Sequence, residues 1–277
     1  MPTLGMPEML GLSIAAGFVG AMSGMGGGVV LVPALTLMGL DIKHAIAISI
    51  VSVIATSSGS ASAYVRDRIT NLKVGMFLEV FTILGAVVGA AVTLACSERP
   101  LFIAFGAILL AIWLTMVFQV GKQWHPMAYQ DGFSRWLELR GSYHDEAQKE
   151  TIHYHGVRAY FGGPFMFCAG FIAGLLGIGA GALKVLVLDL GMHLPPKVST
   201  TTSNLIIGVT ALAGTSVYLA NGFIDPGLAA PVILGVVVGA FIGTRVLVKL
   251  SNSAVRNFFL VVLLILGAEM IIRGIRG

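Results

Sequence analysis

The chain has 277 residues, of which 56% are hydrophobic and only 11% are charged, with a formal net charge of +4. So little charge cannot cover the surface of a soluble domain of this length, which excludes the water-soluble classes of protein. The excess of lysine and arginine does not indicate a nucleic-acid partner, because loop cations of a membrane protein usually set its orientation. The composition predicts an all-α polytopic membrane protein embedded in a lipid bilayer.

The chain opens with an apolar stretch that is interrupted by glycine. The first break is Gly24-Met25-Gly26-Gly27-Gly28, and a second, Gly177-Ile178-Gly179-Ala180-Gly181, follows about 150 residues later in a matching context. The same register aligns Tyr64 with Tyr218 and the segment 85–89 with 239–243. The chain therefore contains an internal repeat, and we predict transmembrane repeats at 1–119 and 158–277.

Six apolar runs are long enough to cross a hydrocarbon core, which takes roughly 20 residues. They contain glycine, serine and threonine and almost no charge, as packed membrane helices do. We predict three full spans in each repeat, at 45–65, 74–95, 101–119, 198–219, 227–248 and 254–273.

The glycine-broken segments, about 9–40 and 162–191, allow two threadings. Each is either a hairpin of two helices of about 13–15 residues, too short to cross alone, or a single broken span. Hairpins agree better with the positive-inside rule, since they leave few cations on the opposite side, namely Lys43, Arg99, Arg273 and Arg276. A hairpin plus three spans is an odd number of crossings, so we predict inverted repeats, with both termini on the non-cytoplasmic side. Inversion brings the two breaks together near the bilayer midplane.

A polar insert at 120–157 connects the repeats and is predicted to be cytoplasmic. Within it, 135–139 and 151–155 alternate apolar with polar residues and predict a β-hairpin. His144, His153 and His155 are more often solvated than metal-bound, so no metal site is predicted. No cofactor is predicted either.

The glycine breaks carry the main functional hypothesis. A helix broken inside a membrane frees backbone N–H and C=O groups, which persist where they line a cavity or are buried in protein. The helix after each break directs its N–H groups and positive dipole end at the gap, which suits an anion. We expect the following glycines to bind substrate: Gly24, Gly26, Gly27, Gly28, Gly177, Gly179 and Gly181. Gly85, Gly89, Gly239 and Gly243 are interpreted as helix-packing positions.

The helix after each break is rich in hydroxyl groups. Ser49, Ser52 and Thr56 share one helical face, and the second repeat has a polar run at 199–204. Hydroxyl and amide donors suit an oxyanion, so we predict that a substrate path is lined by Ser49, Ser52, Thr56, Thr202, Ser203 and Asn204. The alternative is that these side chains bond to their own or a neighbouring helix.

Lys184 follows the second break, where the first repeat has Leu31. A membrane-embedded lysine costs roughly 2.5–3.5 kcal/mol and is a functional candidate by default. We expect it to be the counter-charge of a bound anion, with two alternatives: an ion pair with Asp189, or a side chain that reaches the membrane interface. Glu79 lies near a predicted span end, which argues against a role in proton relay.

These motifs resemble the sulfite exporter TauE/SafE family of bacterial membrane proteins. The resemblance rests on Gly17-Phe18-Val19-Gly20 with Gly24–Gly28 and Pro33, and on Gly170-Phe171-Ile172-Ala173-Gly174 with Gly177–Gly181. It implies a carrier of sulfite, sulfoacetate or a related organosulfonate in the bacterial inner membrane. Lys184 departs from the apolar pattern expected after the second glycine motif.

We expect an exporter that works by alternating access, with a small sulfur anion as its partner. One negative charge moving outward gains roughly 2.3 kcal/mol per 100 mV, so no coupling ion is required, in agreement with the lack of deeply placed carboxylates. The alternatives are a cation-coupled importer, with Asp189 or Glu79 as the coupling site, and a non-transport assembly subunit. An intramembrane enzyme is disfavoured because HExxH and GxSxG motifs are absent and no histidine lies deep in a predicted span. The oligomeric state, including a homo-oligomer, is left open.

Overall fold

A computed structural model describes residues 6–23, 27–66, 69–118, 129–145, 150–247 and 252–276. Within these ranges the chain forms helices α1 to α11, one π-helical turn and a two-stranded sheet. The elements, in chain order, are α1 (Met6–Ser23), α2 (Gly28–Leu37), α3 (Ile42–Arg66), α4 (Leu72–Ala95), α5 (Glu98–Phe118), α6 (Gly132–Trp136), β1 (Arg140–Asp145), β2 (Glu150–His155), α7 (Ala159–Leu176), α8 (Gly181–Leu186), the π-helical turn (Val187–Gly191), α9 (Pro196–Ala220), α10 (Pro226–Leu247) and α11 (Asn252–Arg276).

The helices confirm a multi-pass membrane protein. In the described part of the chain, six are long and apolar enough to cross a bilayer: Leu72–Ala95, Glu98–Phe118, Ala159–Leu176, Pro196–Ala220, Pro226–Gly243 and Asn257–Arg276. Five of these coincide with predicted spans to within a few residues, and the remaining predicted span, 45–65, lies inside α3. The sixth, α7, is an arm of the second broken segment.

The two broken segments are hairpins with unequal arms, so the expected arms of 13–15 residues were wrong. Their first arms, α1 and α7, have 18 residues each, about 27 Å at 1.5 Å per residue. The second arms are shorter: α2 has 10 residues, and α8 has 6 before it passes into the π-helical turn. The first arms are longer than expected because α1 and α7 begin three residues before the apolar runs that were used to predict them.

The two repeats pack against each other reciprocally. The first arm of each hairpin lies against the second full span of the other repeat: α1 packs on α10, and α7 packs on α4. The remaining spans pair with their own counterparts, α3 with α9 and α5 with α11. The arrangement therefore exchanges the hairpins between the repeats.

The reciprocity extends to single glycines at the helix crossings. Gly17 lies against the backbone of Val236, and its counterpart Gly170 lies against the backbone of Thr82. At both positions a Cβ atom would collide with the neighbouring carbonyl group, so only glycine allows so close an approach. Gly85, Gly89 and Gly239 make similar backbone contacts with the opposite hairpin arm, which confirms their predicted role in packing.

The insert between the repeats contains the short helix α6 and an antiparallel β-hairpin. The residues predicted for the second strand, 151–155, coincide with β2. Those predicted for the first strand, 135–139, instead form the end of α6 and a turn, and β1 begins at Arg140. The local cause is Asp131, whose side chain accepts a hydrogen bond from Ser134 N at 3.0 Å and so starts a helix.

The insert docks onto the first turn of α4. Asn71 caps this helix by accepting a hydrogen bond from Val74 N at 3.0 Å, and its Nδ2 donates to Tyr154 Oη at 3.1 Å. Lys73 forms an ion pair with Glu138, and this hydrogen bond holds the pKa of Glu138 below its usual value. Buried apolar side chains of α4, α7 and α9 complete a core under the insert. One face of this end of α4 is therefore covered by protein, while Leu72 and Lys73 are exposed.

Candidate functional site

The two glycine breaks meet in space. A Cβ atom on Gly28 would lie 2.5 Å from the carbonyl oxygen of Gly177 and 3.1 Å from Cα of Ile178. Ser49 Oγ donates a hydrogen bond to the same Gly177 carbonyl at 2.9 Å. Three residues that the sequence predicted for the site, Gly28, Ser49 and Gly177, thus lie together, whereas Gly24 and Gly26 lie outside the described residues.

The second break turns through left-handed backbone conformations. Gly177 has φ +67°, Gly179 has φ +70° and Ala180, the N-cap of α8, has φ +49°. Left-handed conformations are open to glycine and strained for residues with a Cβ atom. The glycines at 177 and 179 therefore let the chain leave α7 and start α8 within four residues.

Side-chain hydroxyl groups from three helices satisfy the carbonyl groups around this break. The donor–acceptor pairs are Tyr218 Oη to Gly174 O at 2.7 Å, Thr93 Oγ1 to Leu175 O at 2.7 Å, Ser49 Oγ to Gly177 O at 2.9 Å and Ser203 Oγ to Gly181 O at 3.3 Å. An unsatisfied carbonyl is expensive in a membrane interior, so these bonds stabilise the break. Ser49 and Ser203, predicted to bind substrate, hold the break in this conformation.

A substitution at Ser49 tests this structural role. Ser49→Ala leaves the buried Gly177 carbonyl without its hydroxyl partner and is expected to destabilise the protein by about 1–3 kcal/mol. Ser52→Ala is the matched control, because Ser52 Oγ bonds to the Ser49 carbonyl of its own helix at 2.7 Å and supports no break. Thermal unfolding in detergent should show a lower midpoint for Ser49→Ala alone. Equal shifts in the two variants would contradict the role given to Ser49.

A buried charged network lies one helical turn beyond the second break. Lys184 is fully buried, and its Nζ donates to Thr210 Oγ1 at 2.9 Å. Thr210 Oγ1 in turn lies 3.0 Å from Oε1 of Glu79, which is only 9% exposed. The lysine does not reach the interface, and its partner is Thr210 rather than Asp189. We call these three side chains the Lys184–Thr210–Glu79 network.

The sequence analysis did not single out Thr210, and it discounted Glu79 as a functional residue. Glu79 was placed near a span end, but α4 starts at Leu72, and the insert, α7 and α9 cover that end of the helix. Glu79 is therefore a carboxylate buried within the protein, seven residues after the first residue of α4. Two signals point to these residues: a carboxylate inside an apolar run, and the register that aligns Thr210 with Thr56 of the hydroxyl stripe.

Other predicted site residues are not gathered at the junction of the breaks. Ser52 and Thr56 bond to carbonyl groups of their own helix, in agreement with the alternative interpretation of the hydroxyl stripe. Gly27 is the N-cap of α2, and its carbonyl accepts a hydrogen bond from Leu31 N at 3.0 Å.

The run Thr202-Ser203-Asn204 faces three directions. Thr202 Oγ1 accepts a hydrogen bond from Asn71 N at 3.1 Å, and Ser203 bonds to the second break. Asn204 lines a cavity of about 400 Å³ between α3 and α9, together with Ser57 and Ser58. Successive residues of a helix point about 100° apart, so three in a row cannot line one surface.

Apolar spans arranged around two joined helix breaks, with a buried lysine and carboxylate beside them, define a membrane transporter. The chain belongs to the family described as Sulfite exporter TauE/SafE, whose sequence profile matches residues 9–270.

Three relatives of the chain are described as probable membrane transporters. It is 27% identical over 272 residues to "Probable membrane transporter protein YunE" of Bacillus subtilis (strain 168), covering 95% of this chain and 96% of the relative. It is 24% identical over 237 residues to "Probable membrane transporter protein YdhB" of the same strain, covering 84% and 85% of the two chains. A "Probable membrane transporter protein" of Haemophilus influenzae is 23% identical over 272 residues, which cover 94% of this chain and 92% of the relative. No solved structure matches the chain.

Proposed function

We propose that this protein exports a small sulfur oxyanion, such as sulfite or sulfoacetate, across the bacterial cytoplasmic membrane by alternating access. The observation that carries the proposal is Lys184, a fully buried cation one helical turn beyond the junction of the glycine breaks. A cation in a membrane interior is stabilised by an anion, and it is expensive to keep without one. The printed description of the family, a sulfite exporter, supports sulfur oxyanions as the substrate class.

The anion would bind where Lys184 Nζ and the Thr210 hydroxyl converge, close to the break at Gly177–Gly181. Lys184 Nζ carries several protons and can donate both to an oxyanion and to the Thr210 hydroxyl group, which holds the lysine in place. Because Lys184 is closed off from solvent in this conformation, the surrounding helices must move to open the site to either side. The glycine breaks supply backbone that can turn without a Cβ atom in the way.

The reciprocal packing supports an inverted relation between the repeats, with the hairpins exchanged across a pseudo-two-fold axis. In this proposal the insert is cytoplasmic and both termini lie on the other side of the membrane. Outward movement of one negative charge that no proton accompanies would gain roughly 2.3 kcal/mol per 100 mV. A second candidate, cation-coupled uptake of the same anion, is favoured by one observation, the buried carboxylate of Glu79 beside Lys184.

Thermal stability of the detergent-purified protein against a panel of anions tests the substrate class. The panel holds sulfite, sulfoacetate, methanesulfonate, taurine, sulfate, phosphate and acetate at matched ionic strength. A bound substrate at 100 times its Kd is expected to stabilise the protein by about 2.7 kcal/mol. We expect saturable stabilisation by a sulfur oxyanion that is lost in the double variant Lys184→Met/Glu79→Gln.

Lys73→Met is the control for this test, because Lys73 belongs to an exposed ion pair with Glu138 outside the proposed site. It should keep the response to the anion. Stabilisation by an uncharged solute instead, or an undiminished response in the double variant, would overturn the proposed function.

A further inference from the structure

Thr210 is the pivot of the Lys184–Thr210–Glu79 network, and its hydroxyl group has too few protons for all its contacts. Its Oγ1 accepts from Lys184 Nζ and lies 2.6 Å from the carbonyl oxygen of Ile206 and 3.0 Å from Glu79 Oε1. A hydroxyl group carries one proton and can donate to only one of these two oxygens. When Thr210 donates to the Ile206 carbonyl, its contact with Glu79 is a hydrogen bond only if Glu79 itself carries a proton and donates it.

The geometry therefore accommodates two arrangements of protons. In one, Thr210 donates to a Glu79 carboxylate, and Lys184 balances that negative charge. In the other, a protonated Glu79 donates to Thr210, which donates to the Ile206 carbonyl of its own helix. Glu79 Oε2 is buried and has no hydrogen-bond partner among the described residues, which is more easily tolerated by a neutral carboxyl group than by a carboxylate.

Charge balance links these arrangements to the substrate. Lys184 and a Glu79 carboxylate together are neutral, so a monovalent anion bound beside them would leave one uncompensated negative charge in the membrane interior. Such a charge is strongly disfavoured in a low-dielectric environment, and a titratable group there neutralises instead. A proton on Glu79 restores neutrality while Lys184 pairs with the anion.

Other charged groups around Glu79 do not compete for this role. Among the described residues that face it, Lys184 of α8 supplies the positive charge, while α7 offers only Tyr160 and Cys168, both exposed. Lys197 is exposed at the start of α9, Asp189 lies on the π-helical turn, and Lys73 pairs with Glu138 at the surface.

The first repeat has no such network at the corresponding positions. The registers that align the two repeats place Leu31 opposite Lys184, Thr56 opposite Thr210 and Ile233 opposite Glu79. Two of the three are apolar, so the charged pair occurs in one half of the pseudo-symmetric site. One such site gives one proton for each transport cycle.

We propose that Glu79 is the proton-coupling residue of this carrier. Anion binding at Lys184 ends the pairing of Lys184 with the Glu79 carboxylate, Glu79 takes up one proton, and the anion and the proton cross the membrane together. This inference rests on the proposed function. The proton comes from water on the loading side and returns to water on the other side when the anion leaves. Such a symporter still exports an anion that accumulates inside the cell, since the summed gradients set its direction.

Flux through the full-length protein in liposomes tests the proposal, with methanesulfonate and sulfite as the probes. Methanesulfonate is a monoanion that does not titrate near neutral pH, so any effect of a pH gradient on its movement reports proton coupling by the protein and not protonation of the probe. At one proton for each anion, a gradient of one pH unit is expected to accumulate methanesulfonate about tenfold. An imposed membrane potential alone should accumulate none, because the coupled step is electroneutral.

Glu79→Gln, which mimics the protonated carboxyl group, should lose the pH-driven accumulation, and its remaining flux should respond to the membrane potential. Glu269→Gln is the matched control, since it removes a half-exposed carboxylate from α11 that pairs with Arg273 at 3.0 Å. It should accumulate methanesulfonate as the wild type does. Proton uptake by the weakly buffered wild-type protein in detergent, when methanesulfonate is added, supplies a readout that does not depend on the folding of any variant.

The outcomes separate the two proposals. Potential-driven flux of the wild type that ignores the pH gradient, with no proton uptake on binding, would overturn the coupling role and leave the carrier function standing. Absence of flux for both probes under every gradient would overturn the proposed function itself.

Discussion

Lys184→Met is expected to destabilise the protein by about 3–5 kcal/mol, the effect of removing one partner from a buried charge pair. The substitution leaves Glu79 buried beside Thr210 without its cation. The double variant Lys184→Met/Glu79→Gln removes both charges and keeps similar side-chain volumes, so it should recover most of the lost stability. Unfolding of the wild type, both single variants and the double variant gives the coupling energy.

The same double-mutant cycle predicts that the stability lost in Lys184→Met depends on pH. A proton can neutralise Glu79 when Lys184 is absent, so the penalty of Lys184→Met should be smaller at pH 5.5 than at pH 8. A double variant whose loss of stability equals the sum of the losses in the two single variants would show that Lys184 and Glu79 act independently and that the network is not a charge pair.

Gly17→Ala and Gly11→Ala are expected to change stability in opposite directions, although both add one methyl group to α1. At Gly17 the Cβ atom would collide with the backbone of Val236 on α10, and helix backbones cannot yield as a side chain can. We expect a loss of about 1–3 kcal/mol or more, as for overpacked cores. At Gly11 no described atom beyond the neighbouring backbone of α1 lies within 4 Å of the added Cβ, so the higher helix propensity of alanine should raise stability by up to about 1 kcal/mol.

The comparison is best made by thermal unfolding in detergent together with the yield of monodisperse protein. Gly170→Ala is a second test, because Gly170 meets the backbone of Thr82 in the reciprocal crossing of α7 and α4. It should behave like Gly17→Ala. If Gly17→Ala is as stable as Gly11→Ala, the α1–α10 crossing is not as close as described.

The proposed site depends on both the glycine crossings and the charged network. The glycine crossings hold each hairpin against the opposite repeat, and this exchange places Gly28 of one break against Gly177 of the other. The charged network lies immediately beyond that junction, on α8, α9 and α4. A substrate bound there would contact both repeats, as alternating access requires.

Several features were determined by the sequence alone. The low charge and the long apolar runs define a helical membrane protein, because a bilayer demands about 20 apolar residues for each crossing. The repeated glycine motif predicted that the two breaks lie together, and Gly85, Gly89 and Gly239 were correctly interpreted as packing positions. Lys184 was singled out because a charged residue within a membrane-spanning apolar run usually has a function.

Other features depended on the tertiary structure. The burial of Glu79 follows from the insert and the helices packed against α4, which periodicity along one helix does not report. The hydroxyl groups of Ser49 and Ser203 looked like a substrate path, but they satisfy carbonyl groups of a break that lies far away in sequence. Thr210 joins Lys184 to Glu79 only because three helices converge. Sequence patterns record which residues share a helical face, whereas partners across helices are set by packing, and in this protein the charged network exists only through that packing.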